Sequence, residues 1–184
     1  MEIKINSEQI LKVLNVLSWI IFIGVCIEAG GLLFNTFFTM ALNPIGAKQF
    51  WIQIDLSDLY NHDPLRFLVQ TLLICIVAIL KAIMFYLIIR LFHSKKLDFL
   101  RPFNVEMKNF LFNITYLCFG IGFFSMWGIK HAQWLTELGI KMPGVENLGL
   151  AGADVWFFMG VIMYIFAHIF KRGIEIQNEN ELTI

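Results

Sequence analysis

Two ionisable residues stand where ionisable residues are costly. Glu28 is the single charge in VLNVLSWIIFIGVCIEAGGLLFNTFFTMAL (13–42). Lys81 lies well inside FLVQTLLICIVAILKAIMFYLIIRLF (67–92), whose other charge, Arg90, sits near its end. A charge in hydrocarbon seeks a partner, water or a cavity. The pair therefore predicts an intramembrane polar site, with carboxylate and ammonium facing the bundle interior and electrostatically coupled. Helical periodicity adds companions: Glu28 shares a stripe with Gly24, Gly31, Asn35 and Thr39, and Gln70 returns to the face of Lys81. The two stripes are compatible if the first two spans are antiparallel neighbours. Depth works against the pairing, since Glu28 lies about 24 Å of helix from Lys12 and Lys81 about 13 Å from Arg90. Tilt, a start of the first span farther inward, and the reach of lysine are what must close that gap. Such a pair serves either structural specificity or a proton- or ligand-responsive switch.

The remaining chemistry is sparse. His62 and His131 belong to the outer side, and His93 and His168 lie toward the inner side. Imidazoles from separate helices have the chemistry of axial haem ligands, but their spacing adds nothing to that reading, and interfacial histidines are expected. Cys26, Cys75 and Cys118 fall in three different apolar blocks, an odd set better suited to filling the core than to disulfides. No HExxH, paired-cysteine or GxSxG motif is present. No catalytic residue, metal ligand or cofactor is therefore assigned.

The elements that position these residues follow from composition. The chain of 184 residues is 58% hydrophobic and 15% charged, with mean hydropathy +0.71. A water-soluble surface needs roughly 25% charged residues. The charges collect between four apolar blocks, with approximate spans 13–42, 67–92, 109–129 and 150–171 in one domain, 1–184. These lengths suit helices rather than membrane strands. The fold class is an all-α integral membrane protein, a four-transmembrane-helix bundle. Lys4, Lys12, Arg90, Lys95, Lys96, Arg101, Lys108, Lys171 and Arg172 fall on one side, against Lys48, Arg66, Lys130 and Lys141 on the other. That bias predicts both termini in the cytoplasm. In the first outer loop, FWIQIDLSDLY reads as an alternating strand or as one helical face, and a short interfacial helix is preferred. Gly24, Gly31, Gly120, Gly122, Gly128 and Gly160 are expected to permit close helix packing.

Two segments carry a family resemblance. The inner loop contains LDFLRPFNVEM and the chain ends in IFKRGIEIQNENELTI. Together with the four-block pattern, these resemble the bacterial membrane proteins of domain of unknown function 2975. In that family a Pro-Phe pair precedes the third span, matched by Pro102, Phe103 and Asn104. The terminal pattern is matched by Phe170, Gly173, Glu179, Asn180, Leu182 and Thr183. The resemblance covers nearly the whole chain and implies no shared catalytic reaction. It does imply frequent encoding beside a small helix-turn-helix regulator.

The functional expectation is a small bacterial inner-membrane, multi-pass accessory or signalling protein acting through protein contacts. A transporter or small-molecule membrane sensor is the alternative. Expected partners are membrane lipids and a cytoplasmic regulatory protein, met by Pro102, Phe103, Lys171, Arg172, Glu179 and Asn180. The balanced charge, with 14 Lys and Arg against 14 Asp and Glu, gives no basic arm for direct nucleic-acid binding. Homo-oligomerisation is compatible with four spans.

Overall fold

In lipid, a backbone must satisfy its own polar groups, and each apolar block does so as a helix. The structure, a computed structural model, describes residues 7–52, 54–93 and 103–181. Its helices are α1 (Ser7–Ala41), α2 (Ser57–His62), α3 (Pro64–His93), α4 (Val105–Glu137) and α5 (Ala153–Glu181), with a 3-10 turn at Pro44–Ala47. All but α2 are long and apolar enough to cross a membrane. The described residues contain no sheet, only an isolated bridge between Trp51 and Ile54. The protein is an all-α, multi-pass membrane protein.

Local chemistry sets the helix starts. Asn104 Oδ1 accepts from Met107 N at 2.7 Å, capping α4. At α3, Pro64 occupies the first turn, where its missing donor is harmless, and Asp63 Oδ1 accepts from Leu65 N at 2.9 Å. Helix α4 runs two turns past Ile129. There Ala132 and Leu135 are buried while Lys130, Gln133 and Glu137 are exposed, so an amphipathic face carries the helix onward.

The long helices pack in chain order, α1 on α3, α3 on α4 and α4 on α5, each pair antiparallel. Side chains fix the register. Trp19 and His93 rings lie 6.2 Å apart and Phe22 and Tyr86 6.4 Å, while Thr36 Oγ1 is 3.7 Å from Cys75 Sγ. Helix α1 therefore begins well beyond the inner end of α3, by about 18 Å of helix. That inward start brings Glu28 level with Lys81 and removes the depth mismatch.

Helix α5 starts far down α4. A Cβ added to Gly122 would lie 3.2 Å from the Ala153 carbonyl, yet α4 continues outward for about 22 Å more. The 138–152 connection consequently folds back alongside the bundle. The 43–56 connection does the same against α1. The most deeply buried large side chains include Phe50, Leu56, Leu148 and Leu150 from these two connections and Leu59 of α2, in one core cluster with Phe67 of α3 and Leu135 of α4. Core packing is thus concentrated at the outer end, while α1 leaves Val13, Val16, Ile20, Ile27, Phe34 and Phe37 exposed.

Among the described residues of 50–60 the backbone is neither strand nor one continuous helix. Ile54 N donates to Trp51 O at 2.6 Å, reversing the chain, and α2 begins only at Ser57. Asp55 Oδ1 accepts from both Ser57 N (2.9 Å) and Ser57 Oγ (2.6 Å), which favours the turn over earlier helix. Of the expected face, Leu56 and Leu59 are buried and Ile52 is exposed.

Among the glycines, Gly120, Gly122 and Gly160 admit side chains of neighbouring helices, whereas Gly31 receives the Trp51 indole and Gly24 faces open space. A matched pair of substitutions tests this. Gly31→Ala drives a Cβ into the indole and is expected to cost about 1–3 kcal/mol. Gly24→Ala should be neutral or gain up to about 1 kcal/mol from helix propensity. Thermal unfolding of the purified variants reads the difference; equal midpoints would refute the seating of Trp51.

The Ser57 hydroxyl and amide hold the Asp55 carboxyl below its usual range. A depressed folded value contributes stability that is present above the unfolded value, about 3.9, and lost as pH falls through the folded one. Protection factors for hydrogen exchange in α2, corrected for the pH dependence of intrinsic amide exchange, should accordingly be constant from neutral pH down to about pH 5 and fall below about pH 4. In Asp55→Asn that acid loss of protection should disappear.

Candidate functional site

The polar stripes of the first two spans were expected to face one another. Instead, most of their polar side chains reach main-chain carbonyls. On α1, the stripe containing Gly31, Asn35 and Thr39 faces the folded-back 43–56 connection. Asn35 Nδ2 donates to the Phe50 carbonyl at 2.6 Å, Gly31 lies under Trp51, and a Cβ on Gly46 would strike Thr39 Oγ1. The α1 face toward α3 carries Ala29, Leu32 and Thr36, all buried. Gln70, fully buried, turns toward α4: its Nε2 donates to the Gly128 carbonyl at 3.4 Å, and its Oε1 lies 2.7 Å from His131 Nδ1. A carbonyl oxygen only accepts, so that pair fixes the proton on Nδ1 of His131.

Lys81 and Glu28 meet at Gly149. Lys81 Nζ donates to the Gly149 carbonyl at 2.9 Å. A Cβ on Gly149 would lie 3.6 Å from Glu28 Oε1. No ion pair within 4.0 Å joins the two side chains. Gly149 has φ +67° and Gly152 φ +79°, a left-handed geometry that glycine adopts without strain. These turns let Leu148 and Leu150 bury on either side of Gly149, with Leu150 seated against Gly128. Three residues later α5 begins. The site is a node in which the Lys81 ammonium holds the loop that launches the last helix, with the Glu28 carboxyl beside the same turn.

Gly149, Gly128 and His131 are the participants that pattern reading missed. The closely spaced glycines of GLAG (149–152) were the available signal for a special backbone conformation.

The inner-side residues form a second contact. Phe103 lies against Phe170, with ring centroids 5.2 Å apart, and a Cβ on Gly173 would collide with the Phe103 ring. The two resemblance-bearing segments thus clasp each other. Lys171 and Arg172 are exposed, and Arg172 Nη1 pairs with Glu175 Oε2 at 3.0 Å. Glu179 is exposed on the same helix. Pro102 and the side chain of Asn180 lie outside the described residues. His168 packs edge-on against Tyr164 at 4.5 Å and Phe112 at 5.5 Å, and His93 Nδ1 lies 3.3 Å from the Ile89 carbonyl. No group of three metal-ligating side chains occurs among the described residues.

Residues 51–184 match the family model described as "Protein of unknown function (DUF2975)", and the chain belongs to that family. No curated protein and no solved structure matches it.

The node makes a quantitative expectation. Lys81→Met leaves the Gly149 carbonyl without its donor and should cost about 1–3 kcal/mol. Gly149→Ala must place a side chain at positive φ, costing about 1–2 kcal/mol. Combined, the two should cost less than their sum by at least about 0.5 kcal/mol, because both loosen the same loop. Glu28→Gln should likewise partly restore Lys81→Met. Unfolding midpoints of the full chain in detergent measure both cycles, and strict additivity in both would dissolve the node.

Proposed function

We propose, from membership of this uncharacterised bacterial membrane family, that the protein is an accessory or signalling component acting through protein contacts. In this reading, α5 carries the state of the Glu28–Lys81–Gly149 node to a cytoplasmic partner. The supporting observation is the continuity of α5. One helix runs from the loop gripped at Gly149, through the Phe103–Gly173 clasp, to Glu181. Phe103 stands two residues before α4, next to its cap Asn104, so residues 174–181 project about 12 Å past the helix on which α5 packs. The bias in Lys and Arg assigns that projecting end to the cytoplasm. There, the exposed Lys171, Arg172 and Glu179 offer both signs of charge to a soluble partner. The family resemblance points to a helix-turn-helix regulator as its type.

Crosslinking and affinity capture from native membranes test the proposal. The intact chain should retain a soluble protein that is lost when residues 174–184 are removed. Gly173→Leu, which displaces Phe103, should reduce capture even with the tail present. Retention of the same partner without the tail would overturn the proposal, as would solute flux in vesicles that depends on the protein and no tail-dependent partner.

A further inference from the structure

Among the described residues, the three most exposed large apolar side chains all stand where the chain leaves α1 and folds back. Ile52 is 76% exposed, Ile45 73% and Leu42 68%. The helix before them has the same character: Ile27, Phe34 and Phe37 are exposed on a span long and apolar enough to cross a membrane. The lipid-facing surface of α1 thus continues past the end of the helix, through Met40, Leu42 and Ile45.

The backbone of this turn suits the same surroundings. Irregular backbone enters hydrocarbon only where its polar groups are satisfied within the protein. Leu42 N and Asn43 N both donate to the Phe38 carbonyl at 2.9 Å, Gly46 N to the Asn43 carbonyl at 3.1 Å and Lys48 N to the Ile45 carbonyl at 3.0 Å. Pro44 has no N–H, and Ile45 N donates to Asn43 Oδ1 at 3.0 Å. The only polar side chain between Leu42 and Lys48 is therefore turned onto the backbone. A turn in water has solvent for such donors, and in water its apolar tips would be an unfavourable patch. Charge returns at Lys48 and Asp55, both exposed, which line a shallow hollow together with Ile52.

We infer that the connection leaving α1 is lodged in the bilayer leaflet at that end of the bundle, with Leu42, Ile45 and Ile52 among acyl chains. Lys48 marks the boundary, its stem along the chains and its ammonium at the headgroup phosphates. The bias in Lys and Arg makes this the outer leaflet. The inference rests on neither the Gly149 node nor the proposed cytoplasmic partner.

Nitroxide labels test it on the full chain, in nanodiscs of dioleoylphosphatidylcholine and dioleoylphosphatidylglycerol. Ile45→Cys and Ile52→Cys are labelled in a Cys26→Ala background, with Ile27→Cys as the lipid-facing reference and Asp58→Cys as the reference in water. Collision with oxygen, which concentrates among acyl chains, is compared with collision with a water-soluble nickel chelate. At Ile45 and Ile52 the oxygen-to-nickel ratio should lie toward the Ile27 value and well above the Asp58 value. A ratio matching Asp58 at either position would overturn the insertion. Low collision with both reagents would also overturn it, replacing lipid by protein contact from a second copy. Should the labelled chains fail to fold, a phospholipid with a photoreactive group on its acyl chain decides the matter on the unaltered protein. Crosslinks within residues 42–52 support the insertion, and crosslinks confined to the long helices overturn it.

Discussion

A peptide carbonyl that leaves a helix inside a packed bundle has lost its usual donor, and something must replace it. Both outer connections here fold back alongside the helices they join, so the requirement arises twice. Asn35 meets it at the Phe50 carbonyl and Lys81 meets it at the Gly149 carbonyl. Lysine is a costly choice inside an apolar helix, but its long stem crosses the space between α3 and the loop. Glu28 on the facing helix lies beside the same turn. The intramembrane charge pair is therefore explained first by the backbone it holds, and only then by any signal it carries.

That order accounts for what was legible in the residues. The four long helices were visible because lipid excludes charge over some 20 residues, a requirement that composition records directly. The polar stripe of Glu28, Gly31, Asn35 and Thr39 was visible for the same reason. Its partner was not, because periodicity specifies which residues share a face but not what element arrives there. The 43–56 connection arrives through the Trp51–Ile54 reversal and the Asp55–Ser57 turn, both local hydrogen-bond choices that compete with a weakly patterned helix. Gln70 shows the same limit. It was placed on the Lys81 stripe, yet its length lets it turn to Gly128 and His131 on α4. Lys130 and His131 looked like the end of a span, whereas Ala132 and Leu135 continue a buried face beneath them.

The inner end teaches a related lesson about motifs. The Pro-Phe pair and the Phe-x-x-Gly tail are far apart in sequence, and each alone reads as a bend or an amphipathic end. Their contact gives both a common physical cause: Gly173 has no side chain because Phe103 occupies its place, and Phe170 flanks the ring. Phe103 is thus turned partly into the protein, while Lys171, Arg172 and Glu179 on the same end of α5 stay exposed.

Among the four membrane-length helices, α5 is best placed to connect the two sides. Helix α1 packs on α3 alone among the long helices and leaves most of its apolar surface outside the fold. Helices α3 and α4 are each held between two neighbours and contribute the seam around which the others arrange. Helix α5 is fixed near both ends of its packed length, by the Gly149–Gly152 turn and by the Phe103 clasp, and is free beyond the second. A change in how Lys81 or Glu28 holds the turn acts on the first fixed point. Under the proposed function, a shift at that turn would reach the clasp through the uninterrupted hydrogen-bond ladder of the helix, because a packed helix shifts as a unit more readily than it bends.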